Sequence, residues 1–124
     1  MMTVYWYPRA IENQRKEFVN QDMFEVYTQR LKHFMVFKGY KKMTHDTWMY
    51  VLNQDKSPLL ANVPPQRILV IYGTRDPYFP PGNIPLFEKI YPTLKSVPID
   101  SAGHMPHYEK AGVVNPMLEE FLAR

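Results

Sequence analysis

Apolar residues in the first part of the chain recur with a helical period, and in the second part short unbroken apolar runs replace that period. Between Ile11 and Met35, the residues Val19, Met23, Val26, Tyr27, Leu31, Phe34 and Met35 return at three- and four-residue spacing, with Arg15, Lys16, Gln29 and Lys32 on other faces. A turn of helix takes 3.6 residues, so this series predicts a helix with one apolar stripe. Asn20-Gln21-Asp22 marks a place where it can divide in two. Gly39 ends it, with Lys38, Lys41 and Lys42 near the negative pole of the helix dipole. Thr44 to Leu52 predicts a further helix, capped by Thr44 or Asp46, with Trp48, Val51 and Leu52 as its apolar side. Ahead of both, Val4-Tyr5-Trp6-Tyr7 is a candidate short strand, stopped by Pro8.

The pattern changes after a connection over 57–66 that carries Pro58, Pro64 and Pro65. Ile68-Leu69-Val70-Ile71-Tyr72 is a run of branched and aromatic side chains without alternation, closed by Gly73. It reads as a strand buried on both faces, as in a parallel sheet. Pro77, Pro80, Pro81, Gly82 and Pro85 make 74–85 a stiff loop, and Pro85 suits the first turn of a helix running to about Tyr91. A second strand follows from Leu94 to Ile99, then a closing helix from Val113 to Leu122 in which Asn115 stands as a cap before Pro116. Roughly twenty residues of crossover between the strands suit a parallel βαβ unit. The fold class expected is α/β: two to three parallel strands with a crossover helix, a helical N-terminal segment and a C-terminal helix, in a single domain over 1–124.

Two parallel strands joined by a crossover end on the same edge of the sheet, where open α/β sheets bind ligands. Asp76 follows the first strand and Ser101-Ala102-Gly103-His104 follows the second. Taken singly, each has an ordinary explanation: Asp-Pro after a glycine is a common turn, and a loop histidine is commonly a surface residue. Together, at crossover spacing, they are what a histidine base oriented by a carboxylate requires.

The segment Ile68 to Pro77, the segment Ser101-Ala-Gly-His-Met-Pro-His-Tyr-Glu109 and the terminal Pro116 to Leu122 resemble the C-terminal part of the α/β-hydrolase family. The resemblance covers Gln66 to Leu122, about half the chain. In that family the acid follows a late strand, the histidine follows the last one, and a closing helix packs on the sheet. Asp76 and His104 fall on the acid and base positions. Ile11 to Lys56 looks like the helical lid that such enzymes insert before the acid-bearing strand, and Val4 to Tyr7 is a candidate remnant of the strand before the lid. The nucleophile elbow Gly-x-Ser-x-Gly is absent from these residues, as are the first strands and the loop that supplies an oxyanion-hole amide. The serines are Ser57, Ser96 and Ser101. They fall in the proline-rich connection, in a strand and beside the histidine, and none is placed as a nucleophile.

The resemblance therefore implies part of a serine hydrolase for an ester, amide or related small acyl substrate, contributing the triad acid and base and inactive alone. The alternative is a non-catalytic, hydrolase-like binding module or a self-associating truncated protein. A small sheet with an exposed inner edge seeks a partner, either a complementing chain with the N-terminal hydrolase half or a second copy in a homo-dimer.

Composition narrows the remaining classes. The 124 residues are 45% hydrophobic and 22% charged, as in a globular protein. The net charge of +3 gathers only at Lys38 to Lys42, the profile of a solvated face, so a nucleic-acid partner is not expected. Absence of cysteine excludes disulfides, thiolate catalysis and zinc–thiolate sites. His104 and His107 have a spacing that suits a metal but no third ligand converges on them, and no glycine-rich phosphate loop is present. No metal, cofactor or membrane partner is expected, and the location expected is cytoplasmic.

Overall fold

The helical period of the first part folds into helices separated by sharp breaks. The structure, a computed structural model, describes residues 3–52, 54–55 and 62–123. Helix α1 spans Thr3–Gln14, so the strand expected at Val4–Tyr7 is instead helical. A strand must find a neighbour for its backbone groups, whereas a helix closes them internally, and among the described residues no strand lies beside this segment. A 3₁₀ turn at Arg15–Glu17 and the extended Phe18 then break the chain. Asn20 restarts it: its side-chain oxygen accepts the N–H groups of Asp22 and Met23 at 3.0 and 3.1 Å, a cap that contributes about 1 kcal/mol.

Helix α2, Gln21–Met35, buries Phe24, Thr28 and Met35. Val26 and Phe34, expected on the apolar stripe, are exposed. The stripe is turned because Phe18 packs edge-on against Phe24 and tilted on Tyr27, while Tyr27 meets Tyr108. Gly39 takes a left-handed φ of 90°, open to glycine without the steric cost that a Cβ brings, and α3 follows at Tyr40–Leu52. It begins a turn ahead of Thr44, and Trp48 and Val51 of its expected apolar side are exposed. Of the connection expected over 57–66, the first half, Ser57 with it, falls outside the described residues.

The second part forms a parallel pair. Strand β1, Leu69–Gly73, lies beside β2, Lys95–Ile99, in a register running from Leu69 opposite Lys95 to Gly73 opposite Ile99. Between them lie a 3₁₀ turn at Pro81–Asn83 and helix α4, Ile84–Ile90. Two short helices close the chain, α5 at Pro106–Glu109 and α6 at Ala111–Leu122. The helix expected from Val113 therefore begins two residues earlier, and Asn115 lies inside it rather than capping it. Pro116 sits inside α6 and withholds one backbone bond, from the carbonyl of Gly112. Ile99, Ala102 and Val114 are the buried centre, with Ile71, Val97 and Met117 packed around them, so α6 holds the sheet through Val114 and Met117. The architecture is mixed α/β, mainly helical, with two parallel strands. No helix among the described residues is long and apolar enough to cross a membrane.

One close approach fixes the end of the sheet. A Cβ on Gly73 would overlap the backbone carbonyls of Ala102 and Gly103, and one on Gly103 would overlap the carbonyl of Glu17. Backbone, unlike a side-chain tip, has no rotamer to yield with. Gly73→Ala is therefore expected to destabilise the chain by about 2 kcal/mol or more, read as a lowered urea midpoint. Gly82→Ala, with open space around its Cβ, is the control expected to leave the midpoint near its original value.

Candidate active site: an aspartate and a histidine at the sheet edge

The ladder between the strands continues past their ends. The N–H of Thr74 donates to the Ile99 carbonyl at 3.0 Å, and that of Arg75 to the Ala102 carbonyl at 2.9 Å. Both loops therefore leave the sheet together. The second loop turns at Ser101, whose φ of 53° is the one left-handed non-glycine value among the described residues. That costly conformation is held by the Ser101 N–H donating to Thr74 Oγ1 at 3.0 Å and the Ser101 hydroxyl donating to Asp100 Oδ2 at 3.0 Å.

These loops bring Asp76 and His104 into contact. His104 Nδ1 lies 2.9 Å from Asp76 Oδ2. The other carboxylate oxygen, Oδ1, accepts the N–H groups of Tyr78 and Phe79 at 2.8 and 2.9 Å. Pro77 thus belongs to a turn that wraps back over its own aspartate, the habit of Asp at turns. Asp76 is buried, its side chain 6% exposed, while the imidazole is 41% exposed. The acid is shielded and the ring faces out, with Tyr78 edge-on against it at 5.2 Å between centroids.

Burial works to raise the Asp76 carboxyl, but the Phe79 N–H, the His104 ring and the Tyr78 N–H together hold it below its ordinary value of 3.8. An ionised carboxylate can only accept. His104 therefore donates from Nδ1, and its neutral form carries the lone pair on Nε2, the nitrogen turned away from Asp76. An imidazole in this state can take a proton from an incoming hydroxyl, and the carboxylate stabilises the cation that results.

Two acids not singled out by the sequence border the histidine. Glu17 takes the His104 N–H on its backbone carbonyl at 2.7 Å. Burial, the largest influence, pushes its carboxyl above the ordinary 4.5, against the pull of His104 and Lys16 and with a smaller push from the Asp76 charge. Glu109 is buried and accepts the Gly103 N–H and the Asn20 N–H at 2.6 Å each, one on each oxygen. No spacing announces Glu17. Glu109 had a faint signal, as the acid that ends the His104-Met-Pro-His-Tyr-Glu stretch. His107 is exposed on α5 and has no hydrogen bond to the pair. Ser96 donates to Glu88 Oε1 at 3.0 Å and Ser101 to Asp100, so neither reaches the imidazole. An apolar cavity of about 510 Å³ is lined by Pro8, Ile11, Lys32, Met35 and Val36 and shares no residue with the Asp76–His104 pair. Hydrogen-bond geometry, not cavity size, marks the chemistry here.

Compared with family models, curated proteins and solved structures, the chain matches none of them.

The two perturbed acids act in opposite senses on stability. Asp76, whose folded value lies below 3.8, contributes stability above 3.8 that is lost as pH falls through that folded value. Glu17, raised above 4.5, favours the fold most below 4.5, and this contribution is lost as pH rises through its folded value. Thermal melts across pH check both. Asp76→Asn should cost about 2 kcal/mol near pH 7, the loss shrinking below pH 3.8. Glu17→Gln should raise the melting temperature near pH 7, and its gain should vanish below pH 4.5.

Proposed function

We propose that this chain supplies the acid and the base of an α/β-hydrolase-type serine hydrolase acting on an ester, amide or related small acyl substrate. Supporting this reading is one observation above the rest: an imidazole held at 2.9 Å by a buried carboxylate whose other oxygen is already occupied by two amides. In the proposed reaction a serine hydroxyl attacks the substrate carbonyl and its proton passes to His104 Nε2. Asp76 stabilises the imidazolium, which then returns the proton to the departing oxygen or nitrogen as the carbonyl re-forms. No cofactor takes part.

The serine belongs in this proposal to a complementing polypeptide. β1 has one strand neighbour among the described residues, and a further strand on its open edge would bring a loop end to the same rim as Asp76 and His104. Without a nucleophile and oxyanion-hole donors, most transition-state stabilisation is missing. A second, non-catalytic reading, an interaction module or homo-dimer, is favoured by the exposed Phe34, Phe37, Trp48 and Val51 of the helical segment.

Fluorophosphonate labelling separates the two. The purified chain alone should take up no label and should hydrolyse p-nitrophenyl butyrate no faster than its His104→Ala variant. A tagged chain isolated with its native companions should bring a co-purifying polypeptide that is labelled, and His104→Ala should abolish that label. Companions that never label, or a self-associated chain without any, would overturn the hydrolase reading in favour of the module. Robust turnover by the lone chain, lost in His104→Ala, would place the nucleophile within it and overturn the complementation.

A further inference from the structure

Glu109 is a carboxylate 7% exposed whose two oxygens are both spent on backbone N–H groups, with no ion pair to a cation among the described residues. One belongs to Gly103, the residue before the histidine. The other belongs to Asn20, which caps α2 with its side chain. Across the same junction the His104 N–H donates to the Glu17 carbonyl at 2.7 Å, and Gly103 leaves no room between itself and that carbonyl for so much as a methyl group. Phe18 and Tyr108 pack edge-on beside it at 6.1 Å between centroids. The break between α1 and α2 is thus bonded to the histidine loop at two consecutive amides, 103 and 104, and one of the two bonds runs through a side chain eighty-nine positions from Asn20.

From this geometry we infer that Glu109 is a positioning residue for His104. Its carboxylate ties the histidine loop to the start of α2 and so sets the direction in which Nδ1 meets Asp76. The inference rests on the acid–base reading of that pair. The chemistry requires an acid here. The site presents two donors to two oxygens of a buried carboxylate. In Glu109→Gln, with nearly the same shape, the amide nitrogen must face one of the two N–H groups, donor against donor. The loop then has to yield at Gly103 or at Asn20. Either shift moves the backbone next to His104, while Asp76, fixed separately by Tyr78 and Phe79, stays where it is.

The test uses the full chain without substrate. Carbethoxylation by diethyl pyrocarbonate attacks the neutral imidazole at its free nitrogen, and peptide mass spectrometry reads the rate at each histidine, with exposed His33, His45 and His107 as internal references. In Glu109→Gln the rate at His104 should fall about tenfold relative to the references, the order of one lost hydrogen bond to a charged group, and Asp76→Asn should lower it similarly. A folded Glu109→Gln chain whose His104 keeps its original relative rate would overturn the inference and leave Glu109 a packing residue. Hydrogen exchange of the unmodified chain tests the strap even if that variant fails to fold: the Gly103 and Asn20 amides should exchange slowly, and exchange as fast as that of exposed loop amides would equally overturn it. Neither readout involves turnover. Both can succeed when no companion is labelled, which would sink the hydrolase reading alone, and both can fail while labelling depends on His104.

Discussion

Asp76 can orient His104 because the strands beneath them run the same way and end level. Gly73 stands opposite Ile99, and the two further bonds from Thr74 and Arg75 carry the ladder into the loops. The acid lies three residues past the end of β1 and the histidine five past the end of β2. The left-handed turn at Ser101 takes up the difference. Antiparallel strands would have put the two loops at opposite ends of the sheet. Here the chain needs only short loops to bring a carboxylate and an imidazole within 2.9 Å.

Everything around the pair limits its freedom. The Asp76 carboxylate is committed on one oxygen to its own turn and on the other to the ring, so it stays ionised despite burial. The histidine loop is pressed from below by the glycine of β1 and tied from the side to the break between α1 and α2. That break is the contribution of the helical segment that bears most directly on the chemistry. It offers a carbonyl at Glu17, an amide at Asn20 and the aromatic contacts of Phe18, all directed at residues 103–109. Phe34 and Trp48 of the same helical segment are exposed and stand outside the buried centre.

The sequence made the βαβ unit and the pairing of Asp76 with His104 legible for a common reason. A continuous apolar run, a proline-rich loop and a Gly-His turn are local signals, and one topological rule turns them into a contact. The strand expected at Val4–Tyr7 fails that logic, because aromatic residues next to a proline say what a side chain prefers and not whether another strand is available. Val26 and Phe34 show the limit of periodicity: it counts an apolar stripe but cannot say which flank of it Phe18 and Tyr108 will cover. Glu109 gave only a faint signal, since a buried acid paired with two backbone amides, one of them eighty-nine positions away, has no partner side chain whose type could betray it. A resemblance to α/β hydrolases rests on the short segments around Asp76 and His104, and their geometry is what sustains it as a proposal.

The central claim is that Asp76 holds one tautomer of His104. Long-range ¹H–¹⁵N correlation spectra of the uniformly labelled chain, recorded where the imidazole is neutral, report the proton on each ring nitrogen directly. A protonated Nδ1 and a bare Nε2 are expected for His104, with the exposed His33 and His107 showing the mixture of an unconstrained ring. A His104 protonated on Nε2, or averaging as those two do, would contradict the claim.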